Sequence, residues 1–198
     1  MKAFIKHLFP TPYQFLYDLK EAIKERLYPE KRFWHYYTAE RDYQRVPEMF
    51  LEQVKLPGYV RTVIDYGCAS GRNFIPFNGK YNLWGLDIIP EEKIKWIRNF
   101  QNLKYEQMTF YDFTRFLEQS KIDLSEAVIM TSAVLMYIPC RWQIRFYNAS
   151  KARGCRNFIF IENPPGTRSF GRTIKMPLDD FTPMFNGEKR SVAYTILS

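Results

Sequence analysis

Histidine is almost missing from this 198-residue chain, which holds only His7 and His35, and cysteine is scarce and odd in number, with Cys68, Cys140 and Cys155. Two histidines leave little for a metal centre or a histidine-centred triad, although one can still act as a base. Three cysteines without paired ligand spacing argue against a disulfide framework and against a zinc site, so no metal is expected. No apolar run is long enough to span a bilayer, and the N-terminus lacks the apolar block and small-residue cleavage site of a signal peptide. The expectation is therefore no membrane partner and a reducing, cytoplasmic setting. Internal repeats and low-complexity linkers are also missing. What is present is apolar: hydrophobic residues make up 46% and aromatic residues 18%, too much for a disordered chain. The length suits one α/β domain with a substantial core and is short for two.

Glycine is sparse too, at nine residues, yet two of them fall in the stretch that organises the chain, Val63-Ile64-Asp65-Tyr66-Gly67-Cys68-Ala69-Ser70-Gly71-Arg72. A β-branched run ends in an acid and breaks into small residues, which is how a buried strand turns sharply into a helix. Gly67 and Gly71 permit backbone conformations closed to other residues, and Ala69 and Ser70 let a ligand lie close to the main chain. In an open parallel sheet this turn falls at the carboxyl end of a strand, where ligands bind. Two phosphate-binding readings fail on spacing. A dinucleotide fingerprint needs a glycine-type residue where Arg72 stands, and no Gly-Lys-Ser/Thr occurs for a P-loop.

From the start of the chain, Thr11-Pro12-Tyr13-Gln14 carries a cap, a first-turn proline and a capping-box residue. Leu16, Leu19, Ile23 and Leu27 continue it as an amphipathic helix that Tyr28-Pro29 ends. The aromatic cluster Phe33-Trp34-His35-Tyr36-Tyr37 has two readings, an anchor for the N-terminal segment or a lid over a ligand. Pro47 opens another helix, closed by Leu56-Pro57-Gly58. From residue 60 strands and helices alternate, which implies a doubly wound, mostly parallel α/β sheet. Strands are expected at 61–65, 83–87, near 104–109, at 127–131 and at 157–161. Helices are expected after each turn, a short one before Pro76 and Asn78-Gly79, one from Pro90 to about Phe100, and one over 141–152. Asp87, ending the second strand twenty residues after Gly67, is placed to accept hydrogen bonds from both hydroxyls of a ribose.

The stretch Asp65-x-Gly67-x-Ala69-x-Gly71 resembles the first motif of the class I S-adenosylmethionine (SAM) dependent methyltransferases, an acid followed by Gly-x-Gly-x-Gly. Gly67-Cys68-Ala69-Ser70-Gly71-Arg72-Asn73 is similar to the Gly-Cys-Gly-x-Gly-Arg-Asn wording common among them, with Ala69 in place of the middle glycine. The resemblance covers about 60–162 and implies SAM as cofactor, held by Asp65, Gly67, Cys68, Ala69 and Gly71 at the turn and by Asp87 with Ile88 on the ribose side. It further implies that Asp112-Phe113 meets the adenine; Asp112 as a helix-capping carboxylate is the competing reading. The segment Ser132-Ala133-Val134-Leu135-Met136-Tyr137-Ile138 resembles the stretch that passes beneath the cofactor and faces the acceptor. It brings in Ser132 as a cofactor contact. Tyr137, or His35, could polarise a hydroxyl acceptor. Asn163-Pro164-Pro165-Gly166 is similar to the motif of amino-methylating enzymes, but its fourth residue is not aromatic and it follows the fifth strand. A rigid loop is the better reading. After that strand the family adds an antiparallel pair, and Val192–Leu197 reads as an antiparallel last strand. The expected architecture is thus an N-terminal helical and aromatic cap over 1–58 and a Rossmann-like methyltransferase domain over 59–198.

Positive charge is uneven: residues 139–198 carry ten Lys and Arg against four Asp and Glu, nearly all of the net +8. Arg141, Arg145, Lys151, Arg153, Arg156, Arg168 and Arg172 either ring the acceptor side, where they would draw phosphates, or form an ordinary solvated face. The acceptor expected is a small molecule; an RNA or other nucleic acid is the second possibility, and a SAM-binding subunit without acceptor chemistry the third. Oligomeric state is not encoded in any feature of the sequence.

Overall fold

In this computed structural model the described residues are 51–69, 71–91, 99–119, 123–135, 138, 140–162, 182–185 and 192–196. The N-terminal helix, the Phe33–Tyr37 cluster, the body of the helix from Pro90 and the Asn163–Gly166 loop lie outside them. The chain divides into two units, Met1–Arg41 and Asp42–Ser198, and every described residue belongs to the second.

Three apolar runs, Val63–Tyr66, Val128–Thr131 and Phe158–Glu162, are buried on both faces, the pattern of strands in the middle of a parallel sheet. They become β1 (Thr62–Tyr66), β4 (Ala127–Ser132) and β5 (Asn157–Glu162). The other strands are β2 (Asn82–Asp87), β3 (Leu103–Gln107), β6 (Thr182–Phe185) and β7 (Val192–Ile196). Their order is β3-β2-β1-β4-β5-β7-β6. The first five run parallel, with Thr62 beside Asn82 on one side and Ala127 on the other. β7 runs antiparallel to both β5 and β6. Helices α1 (Phe110–Gln119) and α2 (Cys140–Ala152) are the crossovers into β4 and β5.

Strand alternation sorts the core into two halves. Ile64, Tyr66, Ile129, Phe158 and Phe160 face α1 and α2 through Phe110, Phe113, Leu117 and Phe146. Val63, Val128, Met130, Ile159 and Ile161 face the other way, onto Phe74, Phe77 and Leu51, the last from a helical stretch at 51–53. The helix after β1 is a single 3-10 run, Arg72–Phe77, with Pro76 inside it. β3 stops at Gln107, short of the expected 109, because Thr109 is already the cap of α1. Since β1 lies between β2 and β4, the crossovers leave it in opposite directions, and the carboxyl ends of β1 and β4 flank the crevice in which such sheets take ligands. Among the described residues no helix is long and apolar enough to cross a membrane.

Candidate functional site

The turn after β1 bends through alternating left-handed residues: Gly67 has φ 78°, Ala69 φ 46° and Gly71 φ 80°. Ala69 takes that conformation against its Cβ, a cost of order 1 kcal/mol for a residue other than glycine. Hydrogen bonds hold it there. The Gly67 N–H donates to the Leu86 carbonyl (2.7 Å), and the Ala69 N–H donates to Asp87 Oδ2 (2.8 Å), so the turn is tied to the end of β2. The Ile89 N–H donates to Asp87 Oδ1 (3.2 Å). From β3, the Tyr105 hydroxyl donates to the Ile89 carbonyl and Gln107 Nε2 to the Ile88 carbonyl (3.1 Å), fixing the half-buried turn that follows β2.

Three carboxylates end buried strands at this edge: Asp65 on β1 (0% exposed), Asp87 on β2 (4%) and Glu162 on β5 (2%). Asp65 Oδ2 accepts from Asn73 Nδ2 (2.9 Å), while its Oδ1 is buried with no hydrogen-bond partner among the described residues. Burial pushes the Asp65 carboxyl well above the usual range, the Asn73 bond opposes this, and the charges of Asp87 and Glu162 push it further up. Asp87 is raised by burial as well, against the pull of the backbone N–H groups of Ala69, Ile89 and Ile88. Among the described residues no cation pairs with Asp65, so its burial is costly.

Glu162 reaches across to the turn after β4. Its Oε1 accepts from Thr131 Oγ1 (3.0 Å) and from the N–H groups of Val134 (3.1 Å) and Leu135 (3.1 Å). The turn needs the help, because Ala133 sits at φ 54°, its N–H bonded to the Ile161 carbonyl (2.9 Å). Val134 in turn lies on Gly67: a Cβ at Gly67 would come within 2.2 Å of Val134 Cγ2. The two turns that flank the crevice are thus in contact, and only a glycine at 67 allows it.

No family model matches the chain, and no curated protein matches it. Solved structures do. The bifunctional kinase-methyltransferase WbdD aligns with a TM-score of 0.57 at 15% identity over 79% of this chain and 40% of its own, so the chain spans about two fifths of that protein. The magnesium protoporphyrin IX methyltransferase ChlM of Synechocystis PCC 6803, solved with bound SAM, aligns at 0.53 and 15% identity over 90% of this chain and 97% of its own. A TehB-like SAM-dependent methyltransferase from Corynebacterium glutamicum aligns at 0.51 and 12% identity over 92% and 98%. The chain has the class I methyltransferase fold. Likeness at such identity is one of fold, and acceptor and chemistry have to be read from the residues.

In this methyltransferase fold Asp65, Gly67, Cys68, Ala69, Asp87, Ile88 and Ser132 gather at the carboxyl ends of β1, β2 and β4. Gly71 stands there too, but its missing side chain serves another neighbour. A Cβ at Gly71 would meet the Phe100 ring at 2.8 Å, so the glycine admits an aromatic ring of the protein. Phe113 is a correction. It is fully buried (0% exposed), stacked on the Tyr66 ring at 5.2 Å, and belongs to the core under α1, where no ligand reaches it. Asp112 is exposed in the first turn of α1, its Oδ2 accepting from Thr109 Oγ1 (2.6 Å) while its N–H donates back to that hydroxyl (3.2 Å). This is the helix-start reading, with Thr109 as the cap. Tyr137 and His35, and Ser70 in the turn, lie outside the described residues. Cys68 and Cys155 are buried thiols raised chiefly by burial, Cys155 to about 12, which makes both poor nucleophiles.

Of the basic residues, Arg168 and Arg172 lie outside the described residues, and Arg141 stands at the start of α2 on the crevice side. Helix α2 runs from the carboxyl end of β4 back to the start of β5, so Lys151, Arg153 and Arg156 stand at the amino edge, on the far side from the crevice. Arg145 forks onto Glu118 of α1, Nε to Oε1 at 2.6 Å and Nη2 to Oε2 at 2.7 Å. Glu162 and Asn73 were not singled out from the sequence as site residues. The signal for Glu162 was available: it ends a buried apolar strand in an acid, as Asp65 and Asp87 do.

Proposed function

We propose that the chain is a SAM-dependent methyltransferase whose cofactor lies against the turn after β1, with its ribose at Asp87. The observation that carries this is the hydrogen bond from the Ala69 N–H to Asp87 Oδ2 (2.8 Å), which makes the open turn and the β2 carboxylate one rigid unit at the switch point of the sheet. An ionised carboxylate has about four acceptor positions. The bonds to Ala69 and Ile89 therefore leave capacity for a ribose hydroxyl. The orphaned Asp65 Oδ1 fits a ligand that brings positive charge, as SAM does in its ammonium and sulfonium groups. Bound there, SAM supplies an activated methyl group on sulfur. The protein's share is to hold the acceptor nucleophile in line with it and to keep water out, which makes a dedicated base optional. A small-molecule acceptor is the reading we favour over a nucleic acid, since Arg145 is taken by Glu118 and Lys151, late in α2, stands at the far edge, which leaves Arg141 as the α2 cation on the crevice side.

Calorimetry with purified protein should give one SAM per chain, and Asp87→Ala should weaken binding by about 1–3 kcal/mol through the lost charged acceptor. No heat of SAM binding in the wild-type chain would sink the reading; full affinity in the variant would sink the role of Asp87.

A further inference from the structure

Of the three buried carboxylates, Glu162 stands apart. Asp65 and Asp87 leave β1 and β2 on the side of Val63 and Leu83, whereas Glu162 shares the face of Phe158 and Phe160. Negative charge therefore brackets the carboxyl edge from both sides. Among the described residues Glu162 accepts three hydrogen bonds on one oxygen, from Thr131 Oγ1 and the N–H groups of Val134 and Leu135, the arrangement that suits an anionic carboxylate. The same contacts put that charge directly behind the turn whose Val134 covers Gly67. Its field is felt across the crevice, where it adds to the upward push on Asp65. Water, which would damp it, is shut out at both residues.

We propose that Glu162 makes the crevice charge-selective, so that it holds the sulfonium-bearing SAM in preference to the uncharged thioether of the product, S-adenosylhomocysteine (SAH). This rests on the reading that the crevice binds SAM. The two ligands share ribose, adenine and amino-acid groups and differ in one methyl group and one positive charge at sulfur. A charge fixed behind the turn therefore acts on the difference between them, and it eases departure of the product once the methyl group has gone. A merely structural Glu162 would shift both affinities together.

The test is a pair of calorimetric titrations, SAM and SAH, on wild type and on Glu162→Gln. Glutamine keeps an oxygen for the Thr131, Val134 and Leu135 donors and removes the charge. The wild type is expected to bind SAM more tightly than SAH, and the variant to lose about tenfold of that ratio, chiefly through weaker SAM binding. An unchanged ratio in a folded variant overturns the inference. So does a wild type that binds SAH as tightly as SAM or more tightly, which decides the matter even if the variant does not fold. A wild type that binds neither ligand refutes the cofactor assignment itself, a result distinct from both.

Discussion

At Asp65 the chain keeps an ionisable group where folding alone would not. The folded state holds the Asp65 proton to higher pH than the unfolded chain does, because burial comes first among the causes and Asp87 and Glu162 add to it. Between the unfolded and folded values the native state thus binds more protons, and stability falls as pH rises through that interval. Above it the whole penalty applies. Asp65→Asn removes the titration while leaving an amide oxygen for Asn73. Melting curves at a series of pH values upward from the ordinary carboxylate range should show the variant gaining on wild type as pH rises, with SAM binding weakened. A variant that melts below wild type at neutral pH would mean that Asp65 anchors the fold and does not wait for a ligand. The strained Ala69 belongs to the same account, since its left-handed backbone aims the N–H at Asp87.

Among the elements, α1 shows how a local signal and a tertiary one compete for the same letters. The family resemblance implies that Asp112-Phe113 meets the adenine, with Asp112 as a helix-start carboxylate the competing reading. The helix begins at Phe110, with Thr109 as its cap. This puts Asp112 in the exposed first turn and rotates Phe113 inward onto Tyr66. Thr109→Ala should cost about 1 kcal/mol, within the 0.5–2 range for lost caps, and leave SAM affinity unchanged. Chemical denaturation with calorimetry checks both, and a large loss of SAM affinity would return this segment to the cofactor site. The strands were legible because both-face burial writes each as an apolar run, and β1, β2, β4 and β5 fall within a residue or so of expectation. The strand-ending acid Glu162 was legible as such but its role was not, since that depends on Thr131, Val134 and Leu135, partners brought beside it only by parallel pairing of β4 and β5. Nor was the role of Gly71, whose neighbour Phe100 comes from beyond the second strand.

For the molecule as a whole, the net charge of +8 invited a polyanionic acceptor. Among the described residues, topology sends the cations late in α2 to the amino edge and leaves a carboxylate-lined crevice opposite. A single-stranded RNA probe is expected to bind weakly at moderate salt. The combined change Arg141→Gln, Arg145→Gln and Arg153→Gln should leave both its affinity and that of SAM unmoved. If the salt slope is steep and the triple variant flattens it by about three units, a nucleic-acid acceptor becomes the better reading.

Strand order also sets the timetable of assembly. β1 is made early, yet one of its two hydrogen-bonded neighbours, β4, is translated about a third of the chain later. β5 keeps an open edge until Val192–Ile196 has left the ribosome and closed over it. Such long-range parallel pairing folds slowly, because loop closure must be met before contacts repay it. The edge of Val128–Thr131 that β5 covers therefore stays open until late in synthesis, and a nascent chain stalled before β5 would offer a chaperone one sticky ribbon whose second partner has yet to be made.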